Sequence, residues 1–264
     1  MDLLRNVKHK RSFVSDLLYL VLNVGLAVAV LVIVRTTDTL WLAFVLVLLS
    51  KWRVLAVRPR YWFANIQANI VDIIVSLGVV SIMASLSSDE PMRLILQIAI
   101  TIAYIAWLLL LKPRSRRKSV VMQAGVAMVV GVTALFMQAY QWPVSVAVIA
   151  MWLIGYSTAR HILSHYEEDH VLFLSLLWGT FMAELGWVAY HWTIAYSLVF
   201  LGDNKLPQIS VTSLAVGLVV YKAYDSYAHH GSIRTQDILP PLLFAIALVA
   251  IIAILFNAVK VGTI

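Results

Sequence analysis

The chain has 264 residues, 62% of them hydrophobic and only 12% charged, with a mean hydropathy of +0.89. Soluble domains carry about twice that share of charge, so the composition excludes a soluble globular protein. The formal net charge is +7, but the basic residues stand in blocks beside apolar runs, which reads as contact with anionic lipid headgroups and no nucleic acid.

A bilayer core of about 30 Å takes roughly 20 helical residues. On that length the candidate spans are 16–34, 39–54, 66–87, 92–111, 119–139, 143–162, 170–191, 207–228 and 240–259. The expected fold is an all-α polytopic transmembrane bundle of about nine spans with short loops, a single integral membrane domain over residues 1–264. The first run has the basic flank of a signal peptide, but it is too long and no small-x-small site precedes Arg35, so it reads as a retained span. The second has only Leu40 to Leu49 as an uninterrupted apolar core, about 15 Å of helix. It is expected to cross with Lys51 and Arg53 snorkelling to the interface. Pro91, Pro143, Pro207 and Pro240 are expected at helix starts, where a missing N–H costs nothing. Thr193 to Leu201 is apolar but too short to span; with Trp187, Tyr190, Trp192 and Tyr196 around it, it reads as interfacial.

Charge supports this division. If the runs cross alternately, one side collects the blocks Arg5–Arg11, Lys51–Arg60 and Lys112–Lys118 with Arg160, Lys222 and Arg234; the other collects only Arg35, Arg93, Lys205 and Lys260. That divides the 20 basic residues 16 to 4. The asymmetry places the N-terminus and the basic blocks in the cytoplasm, in a bacterial-type cytoplasmic membrane. The chain has no cysteine, which removes disulfides, thiolate metal ligands and a cysteine nucleophile.

Polar residues inside spans are costly unless they face protein or water. In the third span Asn65, Asn69, Asp72 and Ser76 follow at i, i+4, i+7 and i+11, one helical face. Asp72 stands about 7.5 Å along from Gln67, short of the midplane. In the seventh span Thr180, Glu184 and His191 repeat the spacing, with Glu184 some 20 Å from the start of its helix. His191 stands within proton-exchange reach of that carboxyl through water. Gln97, Thr101 and Tyr104 of the fourth span form a weaker third stripe. Three such faces can meet in a polar interior that binds a solute, ion or proton, with Asn69, Asp72, Thr180, Glu184 and His191 as its binding residues. The alternative for each face is interhelical hydrogen bonding with no transport role.

Five histidines fall on the basic side: His161, His165, His170, His229 and His230. His161 and His165 are one helical turn apart, a spacing that can share a metal ion, and Glu167, Glu168 and Asp169 offer oxygen ligands beside them. A metal-dependent membrane enzyme at these residues is therefore a second expectation. The sequence has no GxSxG, no Gly-rich phosphate loop and no HExxH, and no motif specifies a cofactor. A third expectation is a subunit of a larger membrane assembly or a homo-oligomer, its polar faces serving as contact surfaces.

Overall fold

The computed structural model describes residues 13–37, 39–87, 89–166, 168–192, 195–197 and 204–255. Among these residues it contains nine α-helices: α1 (Phe13–Thr36), α2 (Trp41–Ser50), α3 (Trp62–Ala84), α4 (Glu90–Ala106), α5 (Arg117–Phe136), α6 (Val144–Leu163), α7 (Val171–Trp192), α8 (Gln208–His230) and α9 (Thr235–Leu255). Seven, all but α2 and α8, are long and apolar enough to cross a membrane. The chain is thus an all-α bundle of the membrane type. Helix α8 has 23 residues, but its serines and its charged last turns make it more polar than the rest.

Helix α5 is the hub. It packs on α3, α6 and α8 and buries residues along its whole length, from Ser119 to Phe136. Glycine sets its approach to α3: a Cβ on Gly78 would stand 2.7 Å from the Val130 side chain and 3.1 Å from its carbonyl oxygen. Without a hydrophobic drive between helices in lipid, such small-residue contacts maximise dispersion and hold helices together. One apolar core gathers Ala27 and Val30 of α1, Ala43 and Val47 of α2, Val75 and Val80 of α3 and Leu108, against Ala127 of α5. A second joins Met128 and Val132 of α5 to Met151 of α6, Met182 of α7 and Ile209 of α8.

Helix ends fall within a few residues of the sequence expectations at most positions, with three departures. Helix α9 begins at Thr235, so Pro240 and Pro241 lie inside it; the Asp237 carboxylate accepts a hydrogen bond from Ser226 Oγ (2.6 Å) and ties this early first turn to α8. Helix α7 stops at Trp192, and Ala195–Ser197 (β1) pairs antiparallel with Lys205–Pro207 (β2) in a short hairpin. The remainder of the stretch expected at the interface, residues 193–194 and 198–201, lies outside the described residues. Helix α2 has only 10 residues and ends at Lys51. From there the chain descends beside the first turns of α3 through short 3-10 turns at Trp52–Val54 and Pro59–Tyr61. Irregular backbone at membrane depth needs polar partners from protein. Asn65 Nδ2 donates to the Val54 carbonyl (2.9 Å), and Trp62 Nε1 to those of Leu55 and Val57 (both 3.0 Å).

Candidate functional site

Asp72 follows the first residue of α3, Trp62, by ten positions, about 15 Å of helix. Its side chain is 10% exposed and meets two lysines. Lys51 Nζ lies 2.5 Å and Lys112 Nζ 2.8 Å from Asp72 Oδ2, and Trp107 Nε1 donates to Oδ1 at 3.2 Å. Lone burial of a carboxylate costs several kcal/mol; here both oxygens are satisfied and the cluster carries a formal charge of about +1.

Each partner arrives for a local reason. The end of α2 delivers Lys51: because the helix stops at Ser50, the next side chain turns inward to Asp72 instead of snorkelling to the interface. This overturns the sequence expectation for Lys51, whereas Arg53 is exposed as expected. Trp107 and Lys112 come from a π-turn, Trp107–Leu111, that closes α4 with a bond from Lys112 N to Trp107 O of 2.9 Å. An α-helix turns about 100° per residue, which would leave residues five apart about 140° apart around the axis. The wider i→i+5 turn brings both to the face that looks at Asp72.

Above Asp72 the polar contacts continue between α1, α3 and α4. Tyr104 donates to Ser76 Oγ (3.0 Å), and Ser76 donates to the Asp72 carbonyl (2.7 Å). One turn on, Thr101 bonds the Gln97 carbonyl (2.8 Å). Gln97 Nε2 donates to the Met83 carbonyl (3.1 Å), and its Oε1 accepts from Arg35 of α1 (3.3 Å). Arg35 then pairs with Glu90 at 3.5 Å, and Glu90 also meets Arg93. Gln97, Thr101 and Tyr104 are all buried, so the stripe weakest in the sequence is wholly interior. From Lys112 to Glu90 this thread follows 22 positions of α4 and its π-turn, about the 30 Å of a bilayer core. Lys112, its side chain 34% exposed, opens it at one end, and Arg35, 33% exposed, at the other.

Of the residues expected from sequence, Asn69 and Asp72 lie on this face of α3. Asn69 spends its amide on the Asn65 carbonyl (2.8 Å). The stripe of α7 does not join them. Thr180, Glu184 and His191 are exposed on its outer side; Thr180 bonds back to the Leu176 carbonyl (3.0 Å), and His191 Nδ1 lies 2.9 Å from the Trp187 carbonyl. Two stripes compete on α7. Ser175, Gly179, Met182, Gly186 and Ala189 are the buried ones; the smaller ones let α6 approach so closely that a Cβ on Gly155 would meet Met182 at 2.7 Å. At about 100° per residue the polar stripe falls on the opposite side of the helix, and α6 stands between α7 and α3.

The histidines take protein partners. His161 Nε2 lies 2.8 Å from Gln123 Oε1, with its ring centre 6.1 Å from that of His165. His229 Nε2 lies 3.1 Å from Arg117, whose guanidinium stacks 3.5 Å over the Tyr166 ring. Tyr166 donates to Asp225 (2.7 Å) and Tyr224 to Glu168 (2.5 Å), so the end of α8 is latched to the segment after α6. The bond from Tyr224, then that from the His170 N–H, holds the Glu168 carboxyl below its ordinary range. Among the described residues no group of three or more His, Asp or Glu is placed to hold a metal ion; Glu167 lies outside them.

Lys51, Lys112, Trp107 and Arg35 are the site residues that stripe reading did not single out. Each sits at or near a helix end, where face-counting gives no direction. The available signal was charge balance: an intramembrane aspartate needs a cation, and Lys51 and Lys112 are the basic residues that directly follow apolar runs near it. Comparison with family models, curated proteins and solved structures finds no match to this chain.

Proposed function

We propose that this chain is an integral membrane protein of one domain that passes a proton or small ion along the polar thread between α1, α3 and α4, with Asp72 as its central charged group. The observation that carries this reading is the buried carboxylate itself, held between two lysines at the foot of a polar thread as long as a bilayer core. An ionisable residue at membrane depth marks an ion or proton path by default. Lys112, a third exposed, competes with Lys51 for Asp72 Oδ2, so its movement would open the carboxylate to water. The hydroxyls of Ser76, Tyr104 and Thr101 both donate and accept, so water placed between them completes a relay to Gln97 and Arg35. By the basic excess, the Lys112 end faces the cytoplasm; a cysteine placed at Ser115 should label only from that side.

The absence of cysteine gives a direct test. Ser76→Cys and Thr101→Cys should react with small water-soluble thiol reagents in membranes, while Val80→Cys, on α3 in the apolar core, should not. Equal protection of all three would refute a hydrated thread.

A second reading, a subunit of a larger assembly, is favoured by Glu184. This carboxylate lies on the outer face of α7 and makes no hydrogen bond or ion pair among the described residues. A neighbouring membrane protein or a second copy would supply its donor, and Glu184→Gln would then weaken co-purification of that partner from cross-linked membranes; unchanged recovery would remove this reading.

A further inference from the structure

Helices α7 and α8 scarcely touch. Between them opens a cavity of about 610 Å³, with α5 and α6 as its floor. Met128, Ile162, Trp178 and Gly217 line it, and Tyr221 and Tyr224 stand at the end nearest the basic loops. Its volume is that of a ligand site. Its interior offers almost nothing to a polar solute: the Thr158 hydroxyl is already turned back to the carbonyls of Ile154 (2.9 Å) and Gly155 (3.0 Å). Gly125 and Gly217 keep the walls low; a Cβ on Gly217 would already touch Met128 Sδ at 3.3 Å.

The mouth has the opposite chemistry. Arg117 stands one turn before the groove residue Val121, so both share a helical face. Its guanidinium is oriented by stacking on Tyr166 and by the contact of Nη1 with His229 Nε2 (3.1 Å). Arg114, Arg116 and Lys118 beside it are exposed. Glu168 and Asp225 also stand there, each bonded to a tyrosine, but the four cations outnumber them, and an apolar slot ending in such a basic mouth matches one class of ligand. We infer that this groove binds an anionic glycerophospholipid, one acyl chain lying along Met128, Trp178 and Gly217 and the phosphate at Arg117. The planar guanidinium fork suits phosphate, and the surrounding basic residues add attraction for an anionic headgroup. The site is separate from the Asp72 thread and does not depend on it.

The test is native mass spectrometry of the protein released from vesicles of phosphatidylglycerol and phosphatidylcholine in equal amounts. The wild-type chain should retain phosphatidylglycerol in preference to phosphatidylcholine. Gly217→Phe and Gly125→Leu, which fill the slot, should lose the bound lipid. Arg117→Gln should reduce the preference about tenfold, the loss of one charge-assisted contact; being a ratio within one sample, this reading is insensitive to how much protein folds. Equal retention of the two lipids by the wild type, an unchanged preference in Arg117→Gln, or full retention in both filled variants would overturn the inference. So would pairs of chains carrying no lipid, which would assign the groove to a second copy.

Discussion

Removing the charge of Asp72 should destabilise the fold more than removing Lys51, and the two changes should not add. At an effective dielectric of about 20, the 2.5 Å contact between Lys51 Nζ and Asp72 Oδ2 represents about 6–7 kcal/mol of attraction, most of it offset by desolvating both groups. Asp72→Asn leaves the buried Lys51 ammonium beside Lys112 with no counter-charge, a cost of about 3–5 kcal/mol. Lys51→Met leaves Asp72 with Lys112 at 2.8 Å and the Trp107 indole, so only about 1.5–3 kcal/mol is lost. In the double variant Lys112, already a third exposed, swings to water and no buried charge is left alone. The double should therefore cost less than Asp72→Asn alone, a coupling of at least about 1.5 kcal/mol. Reversible unfolding in mixed micelles with increasing dodecyl sulfate, followed by circular dichroism, measures all three. Costs that sum to within about 0.5 kcal/mol would show that Lys51 and Asp72 are not the coupled pair described.

Deleting Leu109 should return the π-turn to α-helix and leave Trp107 and Lys112 four positions apart, about 40° around the axis and still on the face toward Asp72, so it should cost much less stability than Lys112→Met; a loss equal to that of Lys112→Met would remove the role given to the turn. Gly155→Leu should overpack α6 against α7 by about 1–3 kcal/mol, since even a Cβ meets Met182 at 2.7 Å, while Gly25→Ala, with nothing within 4 Å, should be neutral or slightly stabilising in the same melting assay. Glu168 has a folded pKa below its unfolded one, so its contribution is complete above the unfolded value and disappears as pH falls through the folded value. Tyr224→Phe should therefore lower the melting temperature slightly at neutral pH, the exposed setting keeping it small, and change nothing well below the carboxylate range; an equal loss at both would show the hydroxyl acts by packing.

Periodicity made much of this legible. All nine runs appear as helices, seven of them (all but α2 and α9) with ends near those expected, because hydropathy and length are local properties; seven helices, all but α2 and α8, are long and apolar enough to cross a membrane. The α3 stripe also read correctly, its spacing needing no knowledge of neighbours. The α7 stripe read in the wrong direction for a physical reason: Thr180, Glu184 and His191 are conspicuous, but Gly179, Met182 and Gly186 on the other side settle which face packs. In lipid, close approach outweighs polarity as the orienting force when a helix has a smooth small-residue face. The cations of the site were hidden differently. Lys51 and Lys112 reach Asp72 because α2 is cut short and α4 ends in a π-turn, and neither event has a period to detect.

The central claim, that Asp72 lies on a proton or ion path, is tested most directly by flux. The chain is reconstituted into vesicles enclosing a pH-sensitive dye, and a potassium diffusion potential drives protons inward. The account predicts acidification faster than in protein-free vesicles for the wild type and for Glu184→Gln, whose carboxylate faces outward, and a fall to the protein-free rate in Asp72→Asn. Wild-type vesicles no faster than empty ones, or an undiminished rate in Asp72→Asn, would contradict it.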